Sequence, residues 1–219
     1  MRFNQRFHKE PNPARPARIP GHVERVGLFG GTFDPVHLGH LILAEAALEE
    51  LDLDRIIFIP AGVSPFKQDH PPGASPEARL AMLRLATADE PRFSVDDREL
   101  RRNGPSYTIE TVRSLLGDHP GVRFLFLIGA DNLADLPNWH EIGELMNLVD
   151  FAVLDRGKGG DAVAACGFPV VRRRIDLSST EIRDRAARGL SIRFMVPEQV
   201  YELIMTQAPY RPASSHGHL

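Results

Sequence analysis

The chain of 219 residues carries 26 Lys and Arg against 29 Asp and Glu, a formal net charge of −3, with 42% hydrophobic residues. A chain this long buries roughly 70% of the surface its unfolded form exposes, and its single cysteine, Cys166, excludes an intramolecular disulfide and a Cys-rich zinc site. No apolar run approaches the ~20 residues of a bilayer span, the charge gives no nucleic-acid signature, and the lone cysteine fits a reducing compartment. The expectation is therefore a cytoplasmic protein with neither nucleic acid nor membrane as partner.

Residues 1–23 carry Arg2, Arg6, Lys9, Arg15 and Arg18 among several prolines, without the apolar segment of a secretory signal. They read as a flexible basic extension before a single domain over 24–208, with a flexible tail over 209–219. Arg25 to Phe29 is a short apolar strand, and Gly30-Gly31 after it predicts a tight turn. Leu41 to Leu51 repeats apolar residues at helical spacing, with Glu45, Glu49 and Glu50 on a wet face. Arg55 to Ile59 is a second strand, stopped by Pro60. Gly62 to Ser75 reads as a long loop, Pro76 to Ala88 as a helix opened by proline, and Phe93 to Val95 as a short strand. Tyr107 to Leu116 is helical, and Val122 to Ile128 is an almost wholly apolar strand ended by Gly129. A helix over Glu141 to Leu148 precedes a strand over Phe151 to Leu154. Gly157 to Gly160 reads as a mobile turn and Pro169 to Ile175 as extended chain. Helices follow over Ser179 to Arg188 and Pro197 to Thr206.

Buried strands alternating with helices predict an α/β fold, a Rossmann-like doubly wound parallel sheet with helices on both faces. Ligands in such sheets bind beyond the carboxyl ends of the strands, where the strand order reverses. The residues of interest are then Gly30-Gly31, Pro60, Gly129-Ala130-Asp131 and Leu177-Ser178.

The segment after the first strand reads Gly30-Gly31-Thr32-Phe33-Asp34-Pro35-Val36-His37-Leu38-Gly39-His40. The two glycines can take unusual φ values and let backbone N–H groups approach an anion, although neither the dinucleotide fingerprint nor a P-loop is present. His37 and His40, three apart around Gly39, share one face of a helix's first turn. There the dipole and free N–H groups favour an anion, and an adjacent phosphate would favour the imidazolium. A lone histidine there would more often be an ordinary surface residue. A zinc pair lacks a nearby Cys or carboxylate to complete it, so no residue is assigned to a metal.

This segment resembles the signature of the HxGH nucleotidyltransferase superfamily, and its longer form GGTFDPVHLGH is similar to bacterial nicotinate-nucleotide adenylyltransferases. Leu177-Ser178-Ser179-Thr180-Glu181-Ile182-Arg183 is similar to the family's ISSTxIR, and Ser178 with Glu181 also reads as a capping box. Ser106-Tyr107-Thr108 with Thr111 is close to its SYTxxT, and Gly129-Ala130-Asp131 leads to Trp139-His140. At Ser64-Pro65-Phe66-Lys67 the chain departs from the family's PPHK-like run, with Phe66 in place of histidine.

The resemblance implies adenylyl transfer from ATP to nicotinate mononucleotide, with His37, His40, Lys67 and Arg183 acting on the phosphates. Gly30, Gly31, Thr32, Phe33, Gly39, Ser179 and Thr180 would bind ATP. Thr108 and the backbone N–H of His140 would hold the nicotinate carboxylate, Trp139 would stack on the pyridine ring, and Asp131 would accept from a ribose. Mg²⁺ would be carried largely by the ATP phosphates. Nicotinamide mononucleotide or phosphopantetheine as acceptor, and a non-catalytic nucleotide sensor, are the alternatives; a synthetase is disfavoured by the short chain. Oligomeric state is not legible.

Overall fold

The computed structural model describes residues 21–62, 72–157 and 159–210. Six strands form one all-parallel sheet: β1 (Arg25–Gly31), β2 (Arg55–Pro60), β3 (Phe93–Val95), β4 (Arg123–Gly129), β5 (Asp150–Asp155) and β6 (Val170–Arg172). Their order is β3-β2-β1-β4-β5-β6, so the direction of winding reverses between β1 and β4. The doubly wound sheet expected from the alternating pattern is present.

Among the described residues eight α-helices accompany the sheet: α1 (Leu38–Glu50), α2 (Pro76–Thr87), α3 (Arg98–Arg101), α4 (Thr108–Asp118), α5 (Ile142–Leu148), α6 (Gly160–Ala165), α7 (Ser179–Ala187) and α8 (Glu198–Gln207). Successive strand side chains point to opposite faces, and the core divides accordingly. Phe29, Phe58, Leu125, Leu127 and Leu154 pack with α1, α2, α7 and α8. Val26, Leu28, Ile57, Phe124, Phe126 and Val153 pack with α4, α5 and α6.

Helix α1 begins three residues before the expected start, because His37 already adopts the extended N-cap conformation. Helices α3 and α6 carry too few residues for a periodic signal, and α6 occupies chain that begins in the turn expected at Gly157 to Gly160. The outer boundaries also move. His22 Nε2 lies 2.8 Å from Asp54 Oδ2, so the fold includes residues of the expected extension. Tyr210, assigned to the tail, is only 8% exposed. Lys67 and Phe66 lie outside the described residues. Among the described residues, no helix is long and apolar enough to cross a membrane.

Candidate active site

The site is built where the sheet divides. β1 pairs with β4 only as far as Phe29 opposite Leu127, while its pairing with β2 continues through Gly30–Ile59 and Gly31–Pro60. The edge of Gly30-Gly31 that faces β4 therefore opens into a cleft. This corrects the expected turn: both glycines belong to the strand, and the left-handed residue is Phe33, at φ 48°. Glycine is needed at 31 for closeness, since a Cβ there would stand 3.0 Å from the Phe33 ring. That ring is 2% exposed and packs against Phe29, Phe58 and His40. Phe33 is thus buried and its ring is occupied in packing, which narrows its expected role in binding ATP.

His37 and His40 stack with ring centroids 3.8 Å apart. Gly39 permits it, because a Cβ there would lie 3.0 Å from the His37 ring. The His37 backbone N–H donates to His40 Nδ1 at 3.2 Å, which leaves Nε2 to carry the proton of the neutral ring. Both nitrogens of His37 are buried without a hydrogen-bond partner among the described residues. Burial first, and then the nearby Arg156 cation, lower the His37 pKa to about 4. Burial, the His37 charge and Arg156 hold His40 well below its ordinary value. Both imidazoles are thus neutral before an anion arrives; the imidazolium expected beside a phosphate would form on binding.

A buried carboxylate anchors this side. Asp34 accepts hydrogen bonds from the Gly73 N–H at 2.7 Å, the Ala74 N–H at 3.0 Å and the Tyr210 hydroxyl at 2.9 Å. Arg183 donates to the Asp34 carbonyl at 2.8 Å and reaches its carboxylate at 3.7 Å. The Ser179 hydroxyl donates to the Pro35 carbonyl at 2.9 Å, and Arg183 also donates to the Thr180 hydroxyl at 3.3 Å. The Ser178 hydroxyl caps α7 by accepting from the Glu181 N–H. The start of α7 is therefore bolted to the segment before α1, uniting two sequence motifs about 145 residues apart. Arg79, 1% exposed inside α2, donates to the carbonyls of Thr32 and Ala61, tying the ends of β1 and β2 together.

On the other side lies an open cleft of about 990 Å³, solvent at its mouth included. Gly30, Gly31 and Thr32 form one wall, Thr108 at the start of α4 another, and Trp139 with His140 a third. The indole stands edge-on to Phe126 at 5.6 Å, and the His140 ring lies against Tyr107 at 4.5 Å. Asp131 does not line this cleft. Its exposed carboxylate stands at the end of β4, 3.9 Å from Arg156.

Asp34, Arg79, Glu99, Ser106, Arg156 and Tyr210 had no assigned role from the sequence. The signal for Arg79 was its register, since Met82 and Leu83 follow at the buried i+3 and i+4 positions of α2. Asp34 has its partners up to 176 residues away, and no local pattern announces that. Arg156 follows β5 directly, donates to the Leu177 carbonyl at 3.0 Å, and stands where the rule for strand ends would have placed a site residue.

The chain resembles known proteins in sequence and in fold. The cytidylyltransferase-like family model matches residues 28–185. A Synechococcus sp. protein described as a probable nicotinate-nucleotide adenylyltransferase is 44% identical over 85% of this chain and 94% of its own. A Herpetosiphon aurantiacus protein of the same description is 42% identical over 86% of this chain and 99% of its own. The fold also matches the Plasmodium falciparum nicotinic acid mononucleotide adenylyltransferase solved with NaAD, at a TM-score of 0.70 and 17% identity, covering 85% of this chain and 97% of that one. The chain belongs to the cytidylyltransferase-like family and, within it, to the nicotinate-nucleotide adenylyltransferases.

Proposed function

We propose that this protein transfers the adenylyl group of ATP to nicotinate mononucleotide, giving nicotinic acid adenine dinucleotide and pyrophosphate in NAD biosynthesis in the cytoplasm. One observation carries the reading: Gly30, Gly31 and Thr32, which wall the cleft with Thr108 and Trp139 at the reversal of strand order, lead within a few residues to the stacked His37–His40 pair and to the segment that α7 is bonded to.

A phosphate oxygen of the mononucleotide attacks the α-phosphorus of ATP. The new P–O bond forms as the bond from that phosphorus to the bridging oxygen breaks, and the electron pair leaves on pyrophosphate. The protein supplies position and charge rather than a nucleophile. The Nε2–H of His40 donates to the reacting phosphates. His37 and Lys67 contact the triphosphate, and Arg183 its β/γ end. Backbone groups of Gly30, Gly31, Thr32 and Phe33 line the phosphate path, and Gly39 keeps the helix start open to it. Ser179 and Thr180 add hydroxyl donors.

Thr108 and the His140 N–H receive the nicotinate carboxylate, Trp139 stacks on the ring, and Asp131 accepts from a ribose of the nucleotide at the cleft rim. ATP would enter as its Mg²⁺ complex, the ion carried largely by the ATP phosphates, where it would offset their charge. Among the described residues no group of three His, Cys, Asp or Glu stands close enough to hold a metal.

The test is pyrophosphate release with ATP and Mg²⁺, comparing nicotinate mononucleotide, nicotinamide mononucleotide and phosphopantetheine. Turnover is expected to be fastest with the acid. A preference for the amide overturns the acceptor, and no turnover with any of the three leaves a nucleotide-binding protein without catalysis.

A further inference from the structure

Tyr210 lies outside every motif named above, yet its hydroxyl ends beside the phosphate-binding groups. The chain leaves α8 through Ala208, whose left-handed backbone (φ 49°) takes it out of the helix. Two residues on, the Tyr210 ring is buried and its hydroxyl donates to Asp34 Oδ1 at 2.9 Å. Burial first, and then the Asp34 charge and the hydrogen bond to it, push the phenol pKa up. The proton therefore stays on the hydroxyl, which acts as a donor only to Asp34.

The Asp34 carboxylate is itself buried, and three short donors fill it: the Gly73 and Ala74 N–H groups and Tyr210. Arg183 is held in another way. Its Nη1 donates to the backbone carbonyl of Asp34 at 2.8 Å but stands 3.7 Å from the carboxylate. Its Nη2 reaches the Thr180 hydroxyl at 3.3 Å. Two neutral oxygens thus orient the guanidinium, in place of the bidentate pair that arginine forms with an available carboxylate. The Arg183 side chain remains 34% exposed. Gly73 packs between the two residues, since a Cβ there would stand 3.3 Å from both the Arg183 stem and the Tyr210 ring.

We propose that Tyr210 is a positioning residue for the polyphosphate: its hydroxyl occupies the Asp34 carboxylate, so that Arg183 keeps its charge and an open face for the β/γ end of ATP. This rests on the reading of Arg183 as a phosphate-binding group. A guanidinium closed on a carboxylate is largely neutralised and attracts an anion less. Without the hydroxyl, Asp34 Oδ1 keeps only the Ala74 N–H of these donors, and Arg183 is drawn from 3.7 Å into direct contact with the carboxylate.

Tyr210→Phe tests this, because it keeps the ring in its packing and removes only the donor. Titration calorimetry with ATP and Mg²⁺ should show the Kd for ATP rising roughly tenfold, the loss of one hydrogen bond to a charged group. The KM for nicotinate mononucleotide should be unchanged. In an Arg183→Ala background, where ATP already binds more weakly, adding Tyr210→Phe should change the Kd for ATP less than about twofold, because both changes remove the same contact.

An unchanged Kd for ATP in Tyr210→Phe would overturn the proposal. The same fold-change with and without Arg183, or a parallel rise in the KM for the mononucleotide, would also overturn it, by making Tyr210 a packing residue. Wild-type protein that binds ATP without turning over nicotinate mononucleotide would overturn the proposed reaction alone, since the ATP titrations still decide the role of Tyr210. Wild-type protein that does not bind ATP would overturn both.

Discussion

The two sides of the site are built on opposite plans. Around the histidines every strong hydrogen-bonding demand on the anchoring carboxylate is met: Asp34 takes donors from the start of α2, from Tyr210 and from Arg183. The stacked imidazoles are packed in with Phe29 and Phe33. Around Thr108 the cleft is open and His140 is exposed. The first side is set before any ligand arrives, which suits groups that must stabilise a transition state at fixed geometry. The second is open to the ligand, which suits discrimination between acceptors.

The comparison breaks first at Asp34. Replacing it by Ala leaves several buried donors and the nearby Arg79 guanidinium uncompensated, and the expected loss of stability is about 3–5 kcal/mol. Urea denaturation measures it. A loss below about 1 kcal/mol would mean that the histidine side is not held from Asp34.

Acid should distinguish the two sides next. The folded-state pKa of His37 is about 4 against an ordinary value of 6.5, so between these values the unfolded chain binds a proton that the folded chain refuses. The contribution is complete above pH 6.5, is lost as pH falls toward 4, and spans about 3 kcal/mol. His37→Gln should flatten that part of the pH dependence in urea melts at pH 7 and pH 4.5. ATP binding should instead draw a proton onto the histidines and weaken as pH rises, and titration calorimetry in two buffers would detect the uptake.

On the open side, Trp139→Ala should raise the KM for the mononucleotide roughly tenfold through lost stacking, with kcat and stability nearly unchanged. An equal rise in the KM for ATP would place the indole outside the mononucleotide seat.

The legibility of these features follows the range of the interactions behind them. Strand and helix periodicity are local, so the α/β class and most elements could be read directly. The segment from Gly30 to His40 was legible because its chemistry is compressed into eleven residues. Its geometry was less so: the positive φ sits at Phe33 rather than at either glycine, because the Phe33 ring must fold under Gly31. The bracing groups were invisible for a different reason. Asp34 is joined to residues 39, 40 and 176 positions away.

The account turns on His40 as a preorganised donor whose removal leaves the fold intact. Pyrophosphate release by His40→Ala, with saturating ATP, Mg²⁺ and nicotinate mononucleotide, measures this directly when paired with its melting temperature. The predicted result is a fall in kcat on the order of 10²–10³ at an unchanged melting temperature. Full activity in the folded variant would contradict it.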